Sequence, residues 1–344
     1  MRNFDVAIIG AGVSGSILAK FLPENLKIIL IDKKNKNEKK VCGGLLAPEA
    51  KKEFAKIGIE IPAKILVNPQ IFRLKILDFV SNDEKIFFKD YLNFDRLEFD
   101  NFLLEKAVTK KNVLFLPNSI FRKFKKIGKK KFEIEISKNE KVEKLTCKIL
   151  VAASGSAPFF RNNFSGKIYS AIQKTFQNSE NLSEFLAIFD QQVSDFYSWI
   201  IPKEKEILLG SAIPAGKNAL KKFNILEKKI GKKIKLGKIL KTEATRIFRP
   251  EKISDISIGS KNFVKIGEAA GLISPSSAEG ISFAVSSAKY LSEAISENFD
   301  DFFPIFEKKI RKLKLKIFWN LQKSKLMFSN FSRKIIFRSG FFDL

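Results

Sequence analysis

The stretch Asp5-Val6-Ala7-Ile8-Ile9-Gly10-Ala11-Gly12-Val13-Ser14-Gly15 decides how the first part of this chain folds. Asp5–Ile9 is short, apolar and bounded by glycine, the pattern of a buried parallel strand. The glycines that follow have the spacing G-x-G-x-x-G. Gly10 suits a tight turn, Gly12 lets backbone approach a pyrophosphate, and Gly15 lets the next helix pack on the strand. That helix, Val13–Leu22, stops at Pro23, and a second apolar strand, Lys27–Ile31, ends at Asp32. An acid about 20 residues beyond the glycines is placed to bind ribose hydroxyls. The helix N-terminus offers unmet N–H groups and a positive dipole end to phosphates. Together these features specify a Rossmann-like dinucleotide-binding unit, with Gly10, Gly12, Val13, Ser14, Gly15, Asp32 and Lys33 as its contacts.

The composition narrows the chemistry. A chain of 344 residues can bury a large core and suggests two domains. No window approaches ~18 consecutive apolar residues, so no transmembrane helix is expected. The N-terminus does not read as a signal peptide, because a strand begins by Phe4–Asp5 and the glycines that follow belong to a motif, so none is expected. Cys42 and Cys147 are the only cysteines, too few for a disulfide framework, and a reducing cytoplasm is the expected compartment. The chain has no histidine, which excludes Ser-His-Asp triads, Cys-His pairs and histidine-ligated metals. No metal site is expected, and chemistry must come from a cofactor, carboxylates, tyrosine, lysine or a thiol. The net charge is +26, but the basic runs Lys33–Lys40, Lys123–Lys131 and Lys221–Lys241 are spread along the chain. They read as solvated faces and loops, and no nucleic-acid partner is expected, because no recognition motif accompanies them.

Further along, Glu49–Ile57 and Asp95–Lys106 read as helices, with strands at Phe72–Val80, Lys85–Tyr91 and Val113–Leu116. Ile120–Ile127, Lys131–Ser137 and Val142–Val151 suggest an antiparallel meander. Tyr169–Phe176, Phe185–Asp190, Phe196–Ile201 and Ile207–Ala212 form a second run of strands, the mark of a sheet of its own. Ala219–Ile230 is a basic helix, Phe263–Ile266 a strand, and Ser276–Ile295 a long helix with small residues on one side. The expected architecture is α/β, α+β overall. A nucleotide-binding domain (residues 1–70, 92–165 and 245–298) interleaves with an antiparallel-sheet substrate domain (71–91 and 166–244). A helical tail (299–344) follows.

The cofactor comes from a second motif, Gly267-Glu268-Ala269-Ala270-Gly271, after a late strand and before the long helix. Here the sequence resembles flavoproteins of the para-hydroxybenzoate hydroxylase fold, which carry a GDAA-type motif whose acid binds the FAD ribityl chain. Glu268 would take that role, one methylene longer. Pro275–Gly280 would open the long helix, with Gly280 and Ile281 at the flavin pyrimidine edge, where a positive dipole end favours anionic reduced flavin.

Within that fold the chain is similar to the geranylgeranyl reductase family. Cys42-Gly43-Gly44-Leu45 stands near the family's flavin-facing Cys-Gly element. Arg96-Leu97-Glu98-Phe99-Asp100 matches an R-x-x-F-D helix start whose Arg lies beside FAD. Tyr197-Ser198-Trp199-Ile200-Ile201-Pro202 is close to Y-x-W-x-F-P in the substrate cavity, and Gly267–Gly280 to G-D-A-A-G…P…G-E-G. There are departures. The family's D-G near the meander's end reads Ala152-Ala153-Ser154-Gly155, so Gly155 keeps its place while Ser154 replaces the Asp. Ala278 replaces Gly, Ile201 replaces Phe, and the C-terminal end is short.

The resemblance implies an FAD-dependent oxidoreductase that reduces a carbon–carbon double bond of an isoprenoid or other lipid-like substrate, with NAD(P)H or another donor reducing the flavin. A monooxygenase of the same fold, or a non-catalytic flavin- or lipid-binding protein at a membrane surface, are the alternatives. Cys42, Tyr197 and Trp199 are the candidate catalytic residues, and Cys42 or Tyr197 could supply a proton where water does not. Each also has a plainer reading: Cys42 as a small buried residue, Arg96 as a solvated helix arginine, Tyr197 and Trp199 as core residues on one strand face. Cys147 reads as structural. The basic, Phe-rich tail Phe302–Phe342 reads either as packing against the body or as resting on anionic lipid at the inner face of the membrane. A monomer is the expected state.

Overall fold

A computed structural model describes residues 2–38, 40–161, 164–178, 182–216 and 218–339. In chain order the elements begin β1 (Arg2–Ile9), α1 (Val13–Phe21), β2 (Ile28–Ile31), β3 (Leu45–Leu46), α2 (Pro48–Lys56), β4 (Ile71–Asp78), β5 (Asp83–Asn93), α3 (Arg96–Val108) and β6 (Val113–Leu116). The meander is β7 (Ser119–Lys126), β8 (Phe132–Lys138) and β9 (Lys141–Ala152). Then come β10 (Lys167–Asn178), β11 (Phe185–Phe189), β12 (Ser198–Lys203), β13 (Glu206–Pro214), α4 (Ala219–Ile230) and β14 (Leu236–Arg249). The chain closes with β15 (Gly259–Ser260), β16 (Phe263–Lys265), α5 (Ile281–Glu297), α6 (Phe302–Phe328) and α7 (Asn330–Ser339). Residues 340–344 of the expected tail lie outside the described residues.

The mixed α/β architecture has two sheets. In the first, the order β15-β16-β9-β1-β2-β6 is parallel except at β15, and β7 and β8 extend it as an antiparallel meander on β9. β1 has neighbours on both sides, so its residues from Val6 to Ile9 are buried on both faces, which is why Asp5–Ile9 lacks alternation. Val6, Ile8, Ile28 and Leu30 face a helical layer of α1, α3, α5 and α6. Ala7, Ile9, Ile29 and Ile31 face the meander through Phe121, Phe132, Ile134 and Ile136.

The second sheet runs β14-β10-β13-β12-β11-β4-β5-β3, antiparallel except where β11 joins β4. Phe223, Leu226 and Ile230 of α4 cover one face, packed on Ile172, Leu186 and Leu209. The opposite face turns toward the first sheet. A buried ion pair holds the last helix there: Arg333 Nε lies 2.7 Å from Asp78 Oδ2 at the end of β4.

Two expectations change. The long helix does not begin at Ser276. Residues 274–280 form a turn, in which Ala278 takes φ +54°, and α5 starts at Ile281. The Ser274 hydroxyl accepts the Ser277 N–H at 3.3 Å and the Ala278 N–H bonds the Ser274 carbonyl at 2.9 Å, so local bonds compete with helix there. The second half of the Lys221–Lys241 run is a solvated face as expected, but it belongs to a strand that the sequence did not mark. It enters β14, an edge strand whose residues Lys238–Thr242 are exposed. Lysine on an edge strand blocks pairing with other chains, so the charge that hid the strand is what the edge requires.

Candidate functional site

The turn between β1 and α1 is built by close approach. Gly10 sits at φ +109°, and a Cβ there would lie 2.5 Å from the Ala153 carbonyl oxygen. A Cβ on Gly15 would lie 1.8 Å from the Gly10 carbonyl oxygen. These two glycines serve packing of helix on strand. Gly12 differs, because a Cβ there would meet nothing within 4 Å and would project into a cavity. α1 begins at this point without a side-chain cap, so its first N–H groups keep their capacity for an anion. The Asp32 carboxylate accepts the Ala11 N–H at 2.6 Å and the Lys34 N–H at 2.8 Å, tying the end of β2 to the glycine turn.

The cavity has a volume of about 760 Å³ and lies between the two sheets. The end at the glycine turn is lined by Gly10, Gly12, Val13, Ser14, Asp32 and Lys33, then by Cys42, Gly43, Gly44, Arg96, Gly155, Glu268, Gly280 and Ile281. The second sheet contributes Leu74, Ile76, Tyr91, Phe185, Tyr197 and Trp199, and α6 contributes Lys316, Asn320, Lys323 and Met327. Of the site residues expected from sequence, Gly15 and Gly267 stand behind the wall. The Gly267 N–H donates to Ser287 Oγ at 2.9 Å, fixing the start of the second motif against α5.

Cys42 is half-buried in this wall, beside the buried guanidinium of Arg96. Burial opposes ionisation of its thiol, but Arg96, the Gly44 N–H and Lys40 outweigh burial and hold the thiol below its ordinary range. Arg96 is itself anchored, with Nε 2.9 Å from Asp100 Oδ2, and Asp100 and Cys42 keep it charged against its burial. The solvated reading of Arg96 is therefore set aside. Cys147, by contrast, is buried in the meander core and its thiol is pushed up to about 12.

Glu268 forms an ion pair with Lys40 at 2.8 Å, and its carbonyl oxygen accepts from Arg161. Ser154, at the position of the family Asp, lines the cavity with a buried Oγ that has no hydrogen-bond partner among the described residues. Across the cavity the Tyr197 hydroxyl donates to the Ser277 carbonyl at 2.7 Å, joining the second sheet to the turn before α5. Burial, with Cys42 nearby, raises the Tyr197 phenol. The Trp199 ring lies over Gly210 on the neighbouring strand, where a Cβ would fall 2.2 Å from the indole. Its centroid is 5.9 Å from that of Tyr197. The two rings thus wall the cavity, with Leu74, Ile76 and Phe185 beside them.

Sequence reasoning missed a group of ionisable side chains here. Glu279 lies just before α5 and accepts the Ser282 N–H and hydroxyl, each at 2.7 Å. Burial raises its carboxyl pKa and Glu49 adds to this, while Ser282 and Lys316 oppose it. Lys323 is lowered by burial and by repulsion from Lys89, and both lysines line the cavity. Glu279 stands in the run Pro275–Gly280 that the sequence singles out, but its order with Ser282 is the reverse of a capping box and gave no signal of its own. No local pattern could have placed α6 against β5.

No protein-family model matches the chain. In sequence it is similar to Protein CbrA of Escherichia coli strain K12, at 33% identity over 349 residues, covering 99% of this chain and 98% of that one. Protein CbrA of Shigella sonnei matches with the same identity and coverage. In structure it is similar to a geranylgeranyl bacteriochlorophyll reductase-like protein of Thermoplasma acidophilum, with TM-score 0.80 and 19% identity over 95% of this chain and 88% of that one. A flavin-dependent brominase gives TM-score 0.70 at 19% identity, covering 98% and 93% of the two chains. PqsL of Pseudomonas aeruginosa, a probable FAD-dependent monooxygenase, gives 0.72 at 13%, covering 99% and 100%. At these identities the likeness establishes the fold, that of FAD-binding Rossmann-type flavoproteins.

Proposed function

Starting from the membership of this chain in the CbrA protein family, we propose that it is an FAD-dependent oxidoreductase. Its reaction would be reduction of a carbon–carbon double bond in an isoprenoid or other lipid-like substrate. One observation carries the reading: a single cavity joins an uncapped helix N-terminus and Asp32 at one end to an apolar, aromatic wall at the other, with Cys42 and Arg96 between.

The residues present fit FAD. The space that a Cβ on Gly12 would fill admits a pyrophosphate against the first N–H groups of α1. Asp32 keeps lone pairs for ribose hydroxyls beyond its two backbone bonds. Glu268, now held by Lys40, and the unpartnered Ser154 hydroxyl can take polar groups of the chain that follows. The α5 N-terminus at Gly280 and Ile281 lines the cavity, and its positive end would suit the pyrimidine edge of a flavin. FAD held there would supply the hydride for one alkene carbon, with NAD(P)H or another donor as the source of its electrons.

The chain itself must hold the substrate, exclude water and deliver a proton to the other alkene carbon. Leu74, Ile76, Tyr91, Phe185 and Trp199 form the apolar wall for the hydrocarbon. Among proton sources, Glu279 is the best suited, since its raised pKa keeps the carboxyl protonated to higher pH than usual. Cys42, held towards thiolate by Arg96, suits a role facing the cofactor. The test is direct. The purified protein should carry a flavin spectrum that bleaches anaerobically with NADPH or dithionite and returns on adding a polyprenyl lipid. A colourless protein that cannot be reconstituted with FAD overturns the reading. Oxygen incorporated into product moves the chain to the monooxygenases.

A further inference from the structure

α6 has three faces. Phe306, Ile310, Leu313, Ile317 and Leu321 are buried against the helical layer. Lys316, Asn320, Lys323 and Met327 line the cavity. The third face points to solvent, and it is not a polar face. Leu315, Trp319 and Leu326 fall on one stripe at spacings of four and seven, with Phe318 beside them. Their exposures are 58%, 63%, 45% and 41% respectively. Phe331 on α7 is a further exposed aromatic, at 77%. Lys308, Arg311 and Lys312 are exposed one to two turns before Leu315, and Lys325 is exposed beside Leu326. None of these four cations is in an ion pair among the described residues, and Glu307 is the exposed acid on this helix.

We infer that this face of α6 docks on an anionic lipid bilayer, with Leu315, Phe318 and Trp319 in the acyl boundary and Lys308, Arg311 and Lys312 among the headgroups. Exposed Trp and Leu flanked by long basic side chains are suited to that boundary, because the cations reach the headgroups while their stems and the rings lie deeper. Anionic lipid is the occupant that the charge selects. A second copy of this chain would bring the same cations face to face, and an acidic protein surface would not need two exposed aromatics and two leucines. The docked face adjoins the cavity face of the same helix. A lipid leaving the bilayer beside Trp319 therefore meets Lys323 and Met327 next. The inference stands on the surface alone and does not depend on FAD.

The experiment uses the full chain with vesicles of phosphatidylcholine alone and of phosphatidylcholine with phosphatidylglycerol. Co-sedimentation should occur on the anionic vesicles and weaken as salt rises. In Trp199→Phe protein, Trp319 is the sole tryptophan, and its emission should be quenched by lipids brominated on the acyl chain. Reversing three charges (Lys308→Glu, Arg311→Glu, Lys312→Glu) should cut vesicle affinity by at least about tenfold. Leu315→Ser with Trp319→Ser should do the same while circular dichroism is unchanged. Equal binding by wild type and both variants, or no binding to anionic vesicles, overturns the inference. So does a dimer in solution that these substitutions dissolve. A protein that cannot be reconstituted with FAD but still binds vesicles would defeat the proposed function and leave this docking in place.

Discussion

At Gly12, folding and cofactor binding can be separated. A Cβ there meets nothing within 4 Å, so Gly12→Ala should cost no more than about 1 kcal/mol, the loss of a glycine from an N-cap. FAD affinity should nevertheless fall by about tenfold or more, measured by flavin fluorescence on titration. Gly15→Ala is the contrast: its Cβ collides with the Gly10 carbonyl, and a loss of about 1–3 kcal/mol in urea unfolding is expected. At Cys42 the guanidinium of Arg96 sets the chemistry. Alkylation by iodoacetamide should occur at lower pH than for an ordinary thiol, because a lowered pKa puts thiolate there already. Arg96→Gln should move that profile to higher pH. Cys147 stays silent, since its thiol ionises only at about 12. Glu279 has the opposite sign. As a proton donor it is competent below its raised pKa, so turnover should fall as pH rises through that value, and Glu279→Gln should lower turnover and remove the pH-dependence.

At the scale of elements, the pieces were read well where pattern and burial agree. β6 and α4 have the bounds their sequences announced. The turn before α5 and the strand β14 were not legible, for different reasons. Ser274–Ser277 satisfies its own backbone by local bonds that outcompete helix. β14 lies at a sheet edge, where exposure removes the apolar alternation that marks a strand. In the tail, α6 is held by its buried apolar face, and α7 by a contact that spacing cannot show, Arg333 on Asp78, both buried. Arg333→Met should cost about 3–5 kcal/mol, because Asp78 is left charged and buried without its partner. The double variant Asp78→Leu/Arg333→Met should recover most of that loss in the same urea titration. Recovery would show that α7 needs filling of that site more than it needs the charge.

For the whole molecule, the cavity's position between two sheets makes a bound cofactor a bridge. Saturation with FAD at 100 times its Kd should raise the free energy of unfolding by about 2.7 kcal/mol, with a midpoint that climbs as FAD is added. By itself the sequence determined the βαβ unit, because Gly10, Gly12, Gly15 and Asp32 act through backbone geometry within about thirty residues. It also determined, through the absence of histidine, what chemistry this protein does without. It carried Cys42, Arg96, Tyr197 and Trp199 as separate motifs. Only the tertiary structure decided that they share one cavity, that Arg96 charges the surroundings of Cys42, and that Glu279, Lys316 and Lys323 join them. The reason is physical: β5, β12, the turn before α5 and α6 meet through long-range packing of the two sheets. Such a meeting leaves no periodic trace in any of the segments.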